Sequence, residues 1–307
     1  MFATLLGGLP RPPRPSDAPL RELVRAAVEA QEVAGLEPVT DGGWWGDRSV
    51  VDAWLATAEM TARAVKGVVS GPYSSTVQSG VGGDDRRRQV IGAAHEANGV
   101  LRALVEAGCP LIEVHEPAIV RIGTDLEGWD LFRDAQAILT DGLDGAHLSL
   151  AIIGGHADAA GFTSILASGY ASLAVDLIAG PDNWRLVRAA PPGLGIVCGA
   201  MSPEPDSYDG PETLLWAASY AASADGRGPD RVGLATASTL RGLPWDAAVE
   251  KLRRLGGAAR LSGLPVDDVR AAVDPRAIDS RSAALGRAER PPSRRPAARP
   301  PEDRPGT

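Results

Sequence analysis

The hydrophobic positions of the chain fall into short continuous runs, and longer stretches of mixed polarity separate these runs. Most runs end at a glycine or at a polar residue. Short continuous apolar runs are typical of strands that are buried on both faces, as in parallel sheets. The eight strands that the pattern predicts lie within residues 3–8, 36–43, 66–74, 110–118, 147–156, 171–180, 193–203 and 231–239.

The stretches between the runs have the spacing of amphipathic helices, and most end at glycine, which helix C-termini prefer. The clearest are residues 19–35, 84–108, 130–142, 211–226 and 244–259. Eight strand–helix units predict an α/β fold, a single-domain (β/α)8 TIM barrel over residues 1–287. A doubly wound open sheet is the alternative fold. However, the first strand lacks the GxGxxG turn that would support dinucleotide binding.

Composition and charge predict a disordered tail and argue against a nucleic-acid-binding, secreted or membrane protein. Proline and arginine dominate residues 288–307, which predicts a disordered tail. The net charge of −8 argues against a nucleic-acid partner. Cys109 and Cys198 form no CxxC motif, so we expect a reducing, cytoplasmic environment. A signal peptide is not evident, and no apolar run approaches the roughly twenty residues of a membrane span.

Polar residues follow several predicted strands at the end where barrels carry their active sites. Asp176 ends an apolar run, where a carboxylate needs a partner or a metal. Asp158 has a second interpretation as a helix N-cap. His115 and Glu116 have a second interpretation as a satisfied polar pair. The predicted catalytic residues are His115, Glu116, His156, Asp158 and Asp176.

A second group of residues at these strand ends is predicted to contact a small-molecule substrate. Trp44 has the alternative role of covering the barrel unless a flat ligand stacks there. The members of this group are Asp41, Trp44, Arg48, Tyr73, Met201, Ser202 and Thr236.

Eight segments, in the same order, resemble motifs of the C-terminal catalytic barrel of cobalamin-independent methionine synthase, within the uroporphyrinogen-decarboxylase-like group. The resemblance extends over residues 3–257. IEVHEPA is similar to the family's "I-DEPA", and GLATASTLRGLP is similar to its "NPDCGLKTRG-P". The other segments are LLGGLPRPP, TDGGWWGDR, SGPYSSTVQS, GGHADAAGF, SLAVD and GIVCGAMSPEP.

The resemblance implies methyl transfer from 5-methyltetrahydrofolate to a thiol. In the family a zinc ion, bound by a histidine, two cysteines and a glutamate, holds that thiol as thiolate. His156 and Asp176 stand at the positions of the zinc histidine and glutamate, whereas Asp158 and Thr236 replace the two cysteines. This chain therefore lacks the sulfur ligands of the family's site.

Other family positions have also changed. Gly8, Gly43 and His115 stand where the family holds the amino acid part of homocysteine. Met201 takes the place of the proton-donating histidine, and Gln78, a further predicted substrate contact, that of a tryptophan near the folate. Activity on homocysteine is therefore not expected.

Two interpretations of the remaining polar centre stay open. His156, Asp158 and Asp176 form a tentative site for a divalent ion such as Mn²⁺, Fe²⁺ or Zn²⁺. The same side chains also suit a metal-free acid–base cluster.

We expect a methionine-synthase-like methyltransferase that uses a folate-type donor and acts on a small molecule other than homocysteine. One alternative is a lyase, isomerase or hydrolase with a histidine–carboxylate centre. Another is a non-catalytic relative that binds a small ligand or serves as a subunit of a larger assembly. Barrels of this kind often pair, so a homodimer is a further expectation.

Overall fold

Seven parallel strands form one curled sheet in the part of the chain that the computed structural model describes, residues 1–77, 84–143, 145–207 and 209–273. Their spatial order is β1-β7-β6-β5-β4-β3-β2, so every neighbouring pair except β1 and β7 is also consecutive in sequence. The strands are β1 Phe2–Thr4, β2 Gly67–Ser70, β3 Ile112–His115, β4 Leu148–Ile152, β5 Ser172–Asp176, β6 Gly195–Met201 and β7 Val232–Thr236.

Helices connect the strands, as parallel pairing requires. Helix α1 ends at Ala34 and is capped by Gly35, whose left-handed backbone lets its N–H bond to the carbonyls of Gln31 and Glu32. Helix α5 begins after Asp125, whose carboxylate accepts from Gly128 N. The described helices are α1 Leu20–Ala34, α2 Val50–Ala58, α3 Pro72–Val77, α4 Asp84–Glu106, α5 Leu126–Thr140, α6 Phe162–Leu166, α7 Trp184–Ala189, α8 Pro211–Ser223, α9 Trp245–Leu261 and α10 Val266–Ala272.

The second predicted strand, residues 36–43, is not a strand in the structure, and this corrects the expected count of eight. A single bridge at Val39 joins the segment to the chain before β2, where Val39 O accepts from Lys66 N at 3.1 Å. On its other side Glu37 N donates to a carbonyl of β1. Pro38 has no N–H to donate, so a regular ladder does not form here. The segment nevertheless lies between β1 and β2.

The two faces of the sheet have different partners. On the outer face Val114, Leu150 and Leu173 stand in register and pack into the large core beneath the helices. Burial of a side chain of this size contributes about 1.5–3 kcal/mol. On the inner face the residues in register include Ala151 and Ala174, which belong to a separate small apolar cluster.

Two further expectations concern the C-terminal tail and a membrane-spanning helix. The predicted tail, residues 288–307, lies outside the described residues. Within the described ranges, no helix combines the length and the apolar character needed to cross a membrane.

Candidate active site

Three ionisable side chains on the inner face of the sheet contact one another in a row. Glu113 and His115 are two residues apart on β3 and therefore point to the same side. Glu113 Oε1 lies 2.7 Å from His115 Nε2, and Glu113 Oε2 lies 2.8 Å from Lys66 Nζ. His115 stands in register with Ala151, which places the row on the inner face. We call Lys66, Glu113 and His115 the inner triad.

The inner triad keeps Glu113 ionised although it is buried. Burial by itself would raise the pKa of Glu113, but the charge of Lys66 and the hydrogen bond from His115 outweigh it and hold the pKa at about 2. Burial lowers the pKa of Lys66, and the charge of Glu113 opposes that change. The side chains of Lys66 and Glu113 are 0% and 2% exposed, whereas that of His115 is 16% exposed. His115 is therefore the member of the triad that a ligand can reach.

This arrangement orients the imidazole for proton transfer. Because the Glu113 carboxylate accepts from Nε2, the neutral ring carries its proton there and presents Nδ1 as the proton acceptor. The same carboxylate stabilises the imidazolium that forms after protonation. A histidine held in this way by a buried carboxylate has the geometry of a general base.

A serine hydroxyl lies beside the triad without a partner. Ser149 is in register with Glu113 on one side and with Ser172 on the other. Its Oγ is buried and has no hydrogen-bond partner among the described residues. Ser172 Oγ, in contrast, lies 3.0 Å from His147 Nε2. Ser149 thus adds a donor and acceptor to the inner face next to Glu113.

A cavity of about 170 Å³ opens between the loop after residue 40 and the start of β2. Asp41 and Arg48 line it on the loop side, and Lys66 of the inner triad lines it on the strand side. Tryptophan rings form part of its wall: Trp45 Nε1 donates to Thr57 Oγ1 at 2.8 Å, and the Arg48 guanidinium lies over that ring. The volume is below the roughly 300–1,000 Å³ of pockets for drug-sized ligands. The cavity suits a small metabolite.

Partial burial affects Asp41 at the rim of this cavity. Burial raises its pKa, and hydrogen bonds from the backbone N–H groups of Gly43 and Trp45 and the charge of Arg241 act in the opposite direction. Asp41 Oδ1 accepts from Gly43 N at 2.8 Å. Its carboxylate therefore shapes the loop as well as facing the cavity.

Glu116, which the sequence predicts to act with His115, faces the helices instead of the inner face. Its oxygens accept from the backbone N–H groups of Tyr73 and Ser74 and from Gln136 Nε2, at 2.8–3.2 Å. Burial raises its pKa to about 7, and these donors act against that increase. Glu116 thus fixes the start of α3 against α5, and the structure separates it from His115.

The three residues of the tentative metal site lie in different environments. Asp176 is buried; its Oδ2 accepts from Gly154 N at 3.0 Å, and its Oδ1 accepts from two backbone N–H groups at 2.8 and 2.9 Å. Asp158 is an exposed residue paired with Arg185 at 3.0 Å. His156 is 47% exposed, and its Nδ1 lies 3.9 Å from Asp182.

These residues do not fit a bound divalent ion. The Asp176 carboxylate accepts three backbone hydrogen bonds, one at Oδ2 and two at Oδ1, and so holds the turn after β5. Thr236 Oγ1 is also committed, since it accepts from Leu6 N and donates to Leu6 O. Within the described ranges, no three His, Cys, Asp or Glu side chains are grouped so that they could hold a metal ion. The capping interpretation of Asp158 is not seen either, because the N-cap of α6 is Gly161 and the Asp158 carboxylate contacts Arg185.

The remaining predicted substrate contacts are scattered. Tyr73 is buried between helices, and its hydroxyl contacts Arg86 at 2.6 Å. Met201 is buried, and Ser202 N donates to Asp209 at 2.8 Å in the loop after β6. Gln78 lies outside the described residues. Of the predicted substrate contacts, Asp41, Trp44 and Arg48 lie in the loop that borders the cavity.

Sequence reasoning missed Lys66 and Glu113. Both carry a signal, because Lys66 directly precedes the apolar residues of KGVVS and Glu113 interrupts the apolar residues of IEVHEPA. A charged side chain inside a buried strand requires a partner. The alternation along IEVH places Glu113, and not Glu116, on the same side as His115.

The comparisons with known proteins identify the fold. No protein-family model and no curated protein sequence matches the chain. Among solved structures, a B12-independent methionine synthase from a Shewanella species, in complex with selenomethionine, aligns with a TM-score of 0.69 at 16% identity, covering 84% of this chain and 97% of that one. The chain has a methionine-synthase-like fold.

Two further structures agree with this assignment of the fold. A putative vitamin-B12-independent methionine synthase from Listeria monocytogenes aligns with a TM-score of 0.62 at 12% identity, covering 85% of this chain and 97% of that one. A methyltransferase from Methanosarcina mazei aligns with a TM-score of 0.51 at 17% identity, covering 69% and 63%. At these identities the likeness is one of fold.

Proposed function

We propose that the protein is an enzyme that acts on a small molecule at the carboxyl ends of its strands, with His115 as the group that transfers a proton. The observation that carries this proposal is the inner triad. His115 is held by a buried carboxylate, and that carboxylate is held in turn by Lys66. Such a chain of contacts orients an imidazole and is typical of general acid–base sites.

The chemistry of the proposed step follows from these contacts. Nδ1 of neutral His115 takes a proton from a C–H or O–H group of the substrate, so that bond breaks and an N–H bond forms. The electron pair stays on the substrate, and Glu113 stabilises the imidazolium. Return of the proton to another atom gives isomerisation, and loss of a leaving group gives elimination. The donor sets near His156 and Asp176 do not fit a metal, so no step is assigned to one.

Solvent isotope exchange tests this function on many candidate substrates at once. The protein is incubated in heavy water with a panel of small metabolites, and mass spectrometry records deuterium incorporation and consumption of each compound. We expect the wild-type protein to label or convert at least one compound and His115→Gln to lose that activity. His95→Gln, which changes an exposed histidine on α4, is the matched control and retains it.

Two results would contradict the proposal. In one, His115→Gln exchanges deuterium as fast as the wild-type protein, which removes His115 from the chemistry. In the other, no compound is exchanged or consumed although one binds, which favours a non-catalytic relative that binds a small ligand.

Methyl transfer is a second candidate, and the fold likeness to methionine synthases and to a methyltransferase favours it. In this version His115 removes the proton from the methyl acceptor, since the two cysteine ligands of the family's zinc site are replaced in this chain. The acceptor–methyl bond forms as the N5–methyl bond of the donor breaks, and the imidazolium returns its proton to N5 of the leaving tetrahydrofolate. The test measures tetrahydrofolate formed from 5-methyltetrahydrofolate with thiol, amine and hydroxyl acceptors. Acceptor-dependent formation that His115→Gln abolishes supports it, and formation with none of the acceptors contradicts it.

A further inference from the structure

The side chain of Arg241 lies across the mouth of the curled sheet, between two loops distant in sequence. Arg241 follows β7, and its Nη2 donates to the carbonyl of Gly43, in the loop after the 36–43 segment. Its guanidinium carbon lies 5.5 Å from the centre of the Trp44 ring. The neighbouring Leu240 N donates to Gly8 O at 2.9 Å and so joins the loop after β1 to the same cluster. These contacts hold the guanidinium in one place.

Two glycines make room for that position. A Cβ at Gly8 would overlap Arg241 Nε, and a Cβ at Gly43 would overlap Arg241 Nη2. The backbone of Gly43 has a φ of +77°, which also favours glycine. Gly8 has no such requirement, and a Cβ there would meet the Arg241 side chain first and the backbone oxygen of Gly42 next, at 3.0 Å. Both glycines therefore leave the space that the Arg241 side chain occupies.

The guanidinium of Arg241, held in this position, still has N–H groups that can donate to a ligand. Among the described residues its one side-chain hydrogen bond goes to Gly43 O, and no carboxylate lies within 4.0 Å of its nitrogens. Asp41 of this loop accepts from Gly43 N, and the charge of Arg241 acts on it without an ion pair between them. An arginine fork fixed on an aromatic ring, with free N–H groups, matches the planar geometry of a carboxylate.

Arg241 and His115 do not themselves line the cavity beside the inner triad, but a contact partner of Arg241 and a neighbour of His115 in that triad do. Gly43, whose carbonyl holds Arg241, lines that cavity, and so does Lys66. We propose that Arg241 binds a carboxylate group of the substrate and that Gly8 and Gly43 are required to seat it. The substrate class is thus a small carboxylic acid, with its anionic end at Arg241 and its reacting end at His115. This inference rests on the proposed function of the inner triad.

A binding experiment tests the inference separately from catalysis. Succinate is titrated into the full-length protein, and the side-chain Nε–H signals of arginine and the tryptophan fluorescence are recorded. Arg241→Gln removes the receptor, whereas Gly8→Ala keeps the arginine and displaces it. Arg231→Gln is the matched control, because Arg231 is also exposed and donates to one backbone carbonyl, at the opposite end of the strands. A parallel titration uses inorganic phosphate.

We expect saturable succinate binding that weakens by about tenfold or more in Arg241→Gln and in Gly8→Ala, as for loss of a charge-assisted hydrogen bond. Arg231→Gln should bind as the wild type does. Equal affinity of Arg241→Gln and wild type, no saturable binding by the wild type, or tighter binding of phosphate than of succinate would each overturn the inference. His115→Gln separates the two proposals, because it should keep succinate binding while losing proton exchange.

Discussion

Glu113 and His115 meet on the inner face of the sheet, with Glu113 Oε1 2.7 Å from His115 Nε2. Glu116, only one residue beyond His115, points to the opposite face and bonds to α3 and α5. The alternation of side chains along β3 therefore decides which carboxylate serves the histidine. One of these glutamates orients the imidazole of His115, and the other holds α3 against α5.

The first prediction concerns the buried pair in the inner triad. Lys66→Met leaves the Glu113 carboxylate without its cation and should lower the free energy of unfolding by about 3–5 kcal/mol. The double variant Lys66→Met, Glu113→Gln removes both charges and should recover much of that loss. Urea unfolding of the two single variants and the double variant measures the coupling. Additive losses in this cycle would show that the two side chains do not depend on each other.

The second prediction concerns Glu116 and pH. Its pKa in the folded protein, about 7, is above the ordinary value of 4.5, so folding favours the protonated form. The resulting stabilisation is full below about pH 4.5 and is lost as the pH rises through about 7, with a total of about 3 kcal/mol. Glu116→Gln removes this dependence.

Urea unfolding at several pH values measures the effect of Glu116→Gln. The stability of the variant relative to the wild type should increase from acidic to slightly alkaline pH. Glu96→Gln, which changes an exposed glutamate on α4, provides the control and should show no such trend. A constant difference between Glu116→Gln and wild type across this pH range would contradict the prediction.

The third prediction separates Asp176 from His156. Asp176→Asn weakens three hydrogen bonds from backbone N–H groups and should destabilise the fold by about 1–3 kcal/mol. His156→Ala changes an exposed side chain and should alter stability by less than about 0.5 kcal/mol. The zinc content of protein dialysed against zinc should be the same for both variants and the wild type. Stoichiometric zinc that both variants lose would restore the metal site that the sequence predicts.

Much of the fold follows from the sequence because long amphipathic helices and buried strands leave clear patterns. The run at 147–156 contains β4, Leu148–Ile152, and the stretch at 211–226 contains α8, Pro211–Ser223. The predicted strand at 36–43 does not form because Pro38 has no N–H to donate to a ladder. The apolar pattern alone does not take that missing donor into account. The α/β class with parallel strands is confirmed, with seven strands in the described residues.

The site was less predictable, for two physical reasons. Strands buried on both faces show no polarity difference between the faces, so the sequence does not tell which face His115 occupies. Contacts between distant loops leave no local pattern: Arg241 and Gly43 are 198 residues apart in sequence, and Thr236 and Leu6 are 230 apart. Only the three-dimensional arrangement shows that Thr236 is a structural link and that Arg241 lies at the mouth.

The central claim is that His115, oriented by Glu113, transfers the proton in the reaction. The most direct test compares kcat/KM of wild type, His115→Gln and His95→Gln on the compound found by the exchange screen. We predict a loss of about 100- to 10,000-fold for His115→Gln with unchanged ligand affinity, and full activity for His95→Gln. A kcat/KM for His115→Gln within about twofold of the wild type would contradict the account.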